Sequence, residues 1–102
     1  MRLSDTERSS IIEAFNKFSK PSMRLYLFGS RADDSKKGGD IDLLIVMGQA
    51  ELKSEFKRLD FIVELKKKIG ERKIDVTLAL VDELKTNSFL VGVMDSAVTL
   101  TS

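Results

Sequence analysis

Asp40 and Asp42, two positions apart at the head of an apolar run, have the types and spacing that could do chemistry. In an extended segment alternate side chains leave the same face, so these carboxylates stand roughly 6.6 Å apart along the chain. Left alone they repel, and each resists ionisation. A shared divalent cation removes that conflict and gives the pairing a physical reason. Asp75 interrupts a second apolar alternation, Ile74-Asp75-Val76-Thr77-Leu78. If its strand neighbours that of Asp42, the three acids form a metal site made only of oxygen. Two metals about 3.5–4 Å apart can stabilise both the attacking and the leaving oxygen in phosphoryl transfer. Upstream, Gly29 allows a tight turn, and Ser30 offers a hydroxyl and an amide to a phosphate oxygen. Arg31 adds a cationic fork for the same polyphosphate.

Each of these signals is ordinary by itself. A Gly-Ser turn is usually only a turn, Asp75 reads singly as a strand residue facing water, and Arg31 reads equally as a solvated loop charge. Their combination is less ordinary. The string Gly-Ser-x9-Asp-x-Asp arises by chance in so short a chain with a probability on the order of one in a thousand.

The remaining composition narrows the chemistry. The chain has 102 residues, enough for one domain over residues 1–102 with one modest core. It contains no cysteine and no histidine, which excludes disulfides, thiolate or imidazole metal sites and the serine–histidine dyad. Any metal must be a hard cation on carboxylate oxygens, with magnesium or manganese the natural choices. Seventeen basic against sixteen acidic residues leave a net charge of +1, which argues against a direct nucleic-acid binder. Met1-Arg2-Leu3-Ser4-Asp5 turns polar at once, unlike a signal peptide, and no apolar run approaches a membrane span. The expectation is a cytoplasmic enzyme or binding module.

The elements that must position these residues follow from periodicity. Ser4-Asp5-Thr6-Glu7 has the capping-box pattern, and Ile11, Ile12, Phe15 and Phe18 continue a helical stripe to the stop at Pro21. Arg24 to Phe28 reads as a strand, 30–39 as a polar loop, and Ile41 to Met47 as a strand buried on both faces. One long helix is expected from Glu51 to Ile69, with Leu52, Phe56, Leu59, Ile62, Val63 and Ile69 on its apolar face and Gly70 ending it. A third strand over Lys73 to Leu78, a helix from about Asp82 to Met94 and a short strand within Ala97 to Thr101 complete the chain. The fold class is therefore α+β: a small mixed sheet with helices packed on it. Gly29-Ser30 and Asp40-Asp42 share one sheet edge only if the first two strands run antiparallel, which a polar connection of about ten residues permits.

Phe28-Gly29-Ser30-Arg31-Ala32 through Gly39-Asp40-Ile41-Asp42-Leu43 resembles the signature of the DNA polymerase β-type nucleotidyltransferase superfamily. Length and element order resemble the prokaryotic minimal nucleotidyltransferases in particular. Where that pattern commonly has serine before the first aspartate, this chain has Gly39. The resemblance implies that Gly29, Ser30 and Arg31 hold the triphosphate of ATP and that Asp40 and Asp42 bind two magnesium ions. It further implies that Asp75 binds one of them or assists the incoming nucleophile. It also implies a partner, a small helical HEPN ribonuclease toxin, with this chain as antitoxin transferring AMP to a tyrosine of that toxin. The rival expectation is a non-catalytic antitoxin that neutralises its partner by masking it.

From Thr86 to Ser102 the single charged residue is Asp95, while Phe89, Leu90, Val91, Val93 and Met94 cluster. This segment either completes the core or leaves an apolar surface for a partner or second copy.

Overall fold

The computed structural model describes residues 3–29 and 40–101. Helix α1 (Asp5–Phe18) starts at Ser4, whose Oγ accepts from the Glu7 amide while Glu7 Oε1 accepts from the Ser4 amide, both at 3.0 Å. These are the reciprocal bonds of a capping box, and they satisfy two amides that a helix start leaves unpaired. Strands β1 (Arg24–Phe28) and β2 (Ile41–Met47) follow, then α2 (Ala50–Glu55), α3 (Arg58–Ile69) and β3 (Ile74–Leu80). Helices α4 (Glu83–Thr86) and α5 (Ser88–Ser96) and the short strand β4 (Val98–Thr99) complete the described chain.

The sheet is mixed, in the order β3-β2-β1-β4. β1 pairs antiparallel with β2 and with β4, while β2 and β3 run parallel. The first pairing is the one that a short polar connection allows. The second uses α2 and α3 as its crossover, as a parallel pair requires. β2 lies inside the sheet and is buried along nearly its whole length, which explains its continuous apolar run.

Alternation along the strands sends side chains into two cores. Leu25, Leu27, Ile41, Leu43, Ile45, Ile74 and Val76 face α1 and α3, where Ile11, Phe15, Phe61 and Leu65 meet them. Phe61 is the hub of that layer, with Phe15, Phe18 and Phe56 packed edge-on at 6.3, 6.4 and 5.7 Å. On the opposite face Leu44, Val46 and Ala79 meet Leu90 and Val93 of α5. β1 is held at its outer edge by the segment after β4. The Leu25 amide donates to Thr101 Oγ1 at 2.9 Å, and the Leu100 amide donates to the Leu25 carbonyl at 2.8 Å.

The expected long helix from Glu51 to Ile69 is two helices. The backbone of Phe56 is extended, at φ −68 and ψ 124, and this turns its ring into the core beside Phe61. α3 then restarts with a new phase, so Phe61 and Leu65 are buried while Leu59 and Val63 are 70% and 52% exposed. The apolar face assigned from periodicity is corrected accordingly. The break also brings Arg58 against β3, where its Nε donates to the Val76 carbonyl at 2.6 Å and covers part of that outer strand's edge. The helix expected from Asp82 to Met94 is likewise divided at Asn87, whose Oδ1 accepts from the amides of Phe89 and Leu90 as the cap of α5. β3 runs two residues beyond the expected Leu78, to Leu80. Among the described residues no helix is long and apolar enough to cross a membrane.

Candidate active site

The acidic residues gather at the end of the sheet where β1 stops and β2 and β3 begin. In the parallel ladder Asp42 stands directly opposite Asp75, and in the antiparallel one Phe28 stands opposite Asp42. Residue parity puts Asp42 on the face that carries Leu44 and Val46, the side covered by α5. Asp75 lies on the outermost strand and is exposed, whereas Asp42 is half-buried. Asp40 precedes β2, and its Oδ2 lies 3.8 Å from the Nζ of Lys73.

Gly29 explains how so polar a residue as Asp42 is accommodated at a buried strand. Its φ of +74 lies in the left-handed region, which a residue without Cβ adopts freely. Asp42 Oδ2 lies inside the space that a Cβ on residue 29 would need, and Asp42 Cγ would be 3.2 Å from it. The glycine is thus required twice, once by its backbone angle and once by the carboxylate leaning on it.

Like charges meet here at the end of the sheet. Burial raises the Asp42 pKa above the ordinary value of 3.8, the charge of Asp75 raises it further, and Asp40 and a hydrogen bond with Asp75 add to the effect. Lys73 opposes these by favouring the ionised form. A site that holds adjacent carboxylates against their repulsion, with oxygen as its only donor type, suits a hard divalent cation. Asp42 and Asp75 are brought together as such a site needs, while Asp40 faces Lys73. Among the described residues no set of three acidic side chains converges closely enough to hold a metal ion as it stands.

Beside Gly29 a cleft of about 440 Å³ runs between the end of β1 and α5, lined by Phe28, Gly29, Ser88, Phe89, Gly92 and Ser96 among others. Phe28 and Phe89 form its aromatic wall, with ring centroids 6.3 Å apart and nearly perpendicular. Phe89 is 58% exposed and Val91 is also exposed, whereas Leu90 and Val93 are buried. One face of the apolar C-terminal segment therefore completes the core, while Phe89 and Val91 on the other are exposed, Phe89 beside the site.

Of the residues singled out from sequence, Gly29, Asp40, Asp42 and Asp75 lie at this one end of the sheet. Ser30 and Arg31, together with the loop 30–39, lie outside the described residues. Two participants were not anticipated. Lys73 was legible only as a strand boundary, although its place two residues before Asp75 is the signal that could have found it. Phe89 belongs in the sequence to an apolar cluster, and only the start of α5 after its Asn87 cap separates it, exposed, from the buried Leu90.

Comparison with known proteins bears on the family and the fold. The sequence profile described as "Polymerase beta, Nucleotidyltransferase" matches residues 9–100. Among solved structures, a crystal structure from Sulfolobus solfataricus, described as that of a candidate nucleotidyltransferase, is similar in fold. It shares 22% identity at a TM-score of 0.50, over 97% of this chain and 89% of that one. No curated protein matches the sequence.

Proposed function

The chain belongs to the polymerase beta nucleotidyltransferase family, and from that premise we propose that it transfers AMP from ATP to an acceptor hydroxyl in a magnesium-dependent reaction. The observation that carries this reading is the register of Asp42 against Asp75, beside a glycine whose missing Cβ leaves room for the Asp42 carboxylate. Asp40, Asp42 and Asp75 would hold the metal. Bound there, magnesium supplies charge neutralisation for the polyphosphate and for the carboxylates themselves. Gly29, Ser30 and Arg31 hold the leaving polyphosphate.

Asp75 is exposed on the outer strand, so an acceptor can reach it without entering the core. It takes the proton of the acceptor hydroxyl, or orients it, in the absence of any histidine. The acceptor oxygen forms its bond to the α-phosphorus as the bond to the bridging oxygen breaks, and pyrophosphate leaves with the electron pair. Asp42, packed against Gly29, stays fixed while this happens.

We take the acceptor to be a tyrosine of a small helical HEPN ribonuclease toxin, which makes this chain its antitoxin. The likeness to minimal nucleotidyltransferases supports that role, as does the open apolar face at Phe89 and Val91. The test is incubation with α-labelled ATP, magnesium and the product of the neighbouring gene. Label should appear on the partner and be lost in the Asp40→Asn, Asp42→Asn double variant. Label that survives that replacement refutes the mechanism. A double variant that transfers no label yet still inhibits the partner would replace it with the masking reading.

A further inference from the structure

Lys73 sits where the two acidic strands begin. Its carbonyl accepts the Ile41 amide at 3.0 Å, the first bond that ties β2 to β3. That bond places Lys73 beside the residue next to Asp40 and two before Asp75. Its Nζ approaches Asp40 Oδ2 at 3.8 Å, and the same charge acts on Asp42. One ammonium thus serves at least two of the three carboxylates that the proposed reaction assigns to metal. Its side chain is 69% exposed, so it is free to swing away when something binds more strongly. An exposed pair of this kind contributes little, which leaves it easily displaced by a divalent ion.

We propose that Lys73 is the resident counter-cation of the site: it holds Asp40 until metal arrives, and it lowers the affinity for metal that comes alone. The inference rests on the reading of Asp40, Asp42 and Asp75 as metal-binding residues. Its physical content is competition. A single charge on a tether and a mobile double charge claim the same oxygen, and the like charge left beside the bound ion opposes binding through partly screened water. A metal carried by a nucleotide avoids much of that opposition, because the polyphosphate offers anionic oxygens to the displaced ammonium. Metal and nucleotide would therefore load together.

The experiment measures Mn²⁺ binding, by the paramagnetic resonance of the free ion, in the full chain and in its Lys73→Met and Lys73→Arg variants. Competition predicts that Lys73→Met binds Mn²⁺ alone roughly 3- to 10-fold more tightly, with the gain shrinking as salt is raised. Lys73→Arg, which keeps the charge, should bind as the parent does, a distinction that a purely structural role would not produce. Unchanged or weaker Mn²⁺ binding by Lys73→Met overturns the inference while leaving the metal site standing. Unchanged Mn²⁺ binding together with weaker Mn²⁺–ATP binding would assign Lys73 to the phosphates instead, and also overturns it. Absence of Mn²⁺ binding in all three proteins refutes the metal reading itself, and this inference with it.

Discussion

Gly29→Ala tests whether the approach of Asp42 to the β1 turn is built as described. Two costs are separable. An alanine at φ +74 meets the ordinary left-handed penalty of roughly 1–2 kcal/mol. Its Cβ would also meet Asp42 Oδ2 closer than the 3.0 Å that real Cβ contacts respect, so the Asp42 side chain must turn off its position, at about 0.5–1.5 kcal/mol. The sum is about 1.5–3.5 kcal/mol, or a fall in Tm of roughly 6–28 °C for a domain of this size. The assay is a double-mutant cycle by urea unfolding in the presence of chelator. In an Asp42→Ala background Oδ2 is gone and only the backbone penalty remains, so Gly29→Ala should cost about 1 kcal/mol less there than in the parent. An equal cost in both backgrounds would show that the carboxylate does not lean on the glycine, and the account of the site would lose its central contact. Transfer activity should fall in Gly29→Ala even at temperatures where the variant is fully folded.

Two further outcomes follow from the same structure. The Asp42 pKa is raised by burial first and by Asp75 second, so the folded state holds that proton more tightly than the unfolded one. Its contribution to stability is therefore present below the ordinary value of 3.8 and lost as pH rises through the folded pKa. Metal-free Asp42→Asn should consequently be more stable than the parent at neutral pH, and the difference should vanish in acid; chemical denaturation across pH checks it, and a parent more stable than the variant at pH 7 contradicts it. Phe61→Ala removes the fully buried ring on which Phe15, Phe18 and Phe56 converge. It should cost about 3–5 kcal/mol, read as a lowered urea midpoint, and a loss under 1 kcal/mol would contradict that hub.

Much of the fold was legible because local signals and tertiary packing agree. The capping box at Ser4 and the apolar run Leu43-Leu44-Ile45-Val46-Met47 of β2 each name their element without help from distant residues. The break at Phe56 was not legible. No proline or glycine marks it, and Leu52, Phe56, Leu59, Ile62 and Val63 fit one continuous helix as well as any pattern could. What breaks the helix is the gain from burying the Phe56 ring beside Phe61, a contact between residues whose faces are set only after the break. In the site, strand periodicity sets the face of Asp42 but does not extend to Asp40, which precedes β2, and it does not give the facing of Asp42 by Asp75. That register is fixed by the crossover, and with it came the position of Lys73. Nor could spacing show that Asp40 faces a lysine.

The parallel pairing of β2 with β3 also bears on the order in which the protein matures. β1 and β2 are joined by a short connection, so their pairing closes a small loop and can form early. Asp42 and Asp75 meet only once the chain, having passed through α2 and α3, has returned to the sheet. Formation of this parallel pair is thus the step that sets two like charges face to face, and until it forms the two acids are not held at one point. Metal affinity should therefore appear during refolding only once β2 and β3 have paired. In that respect the site reports closure of the β2–β3 crossover, and a chain that has not yet made it carries the residues for the reaction without the capacity to perform it.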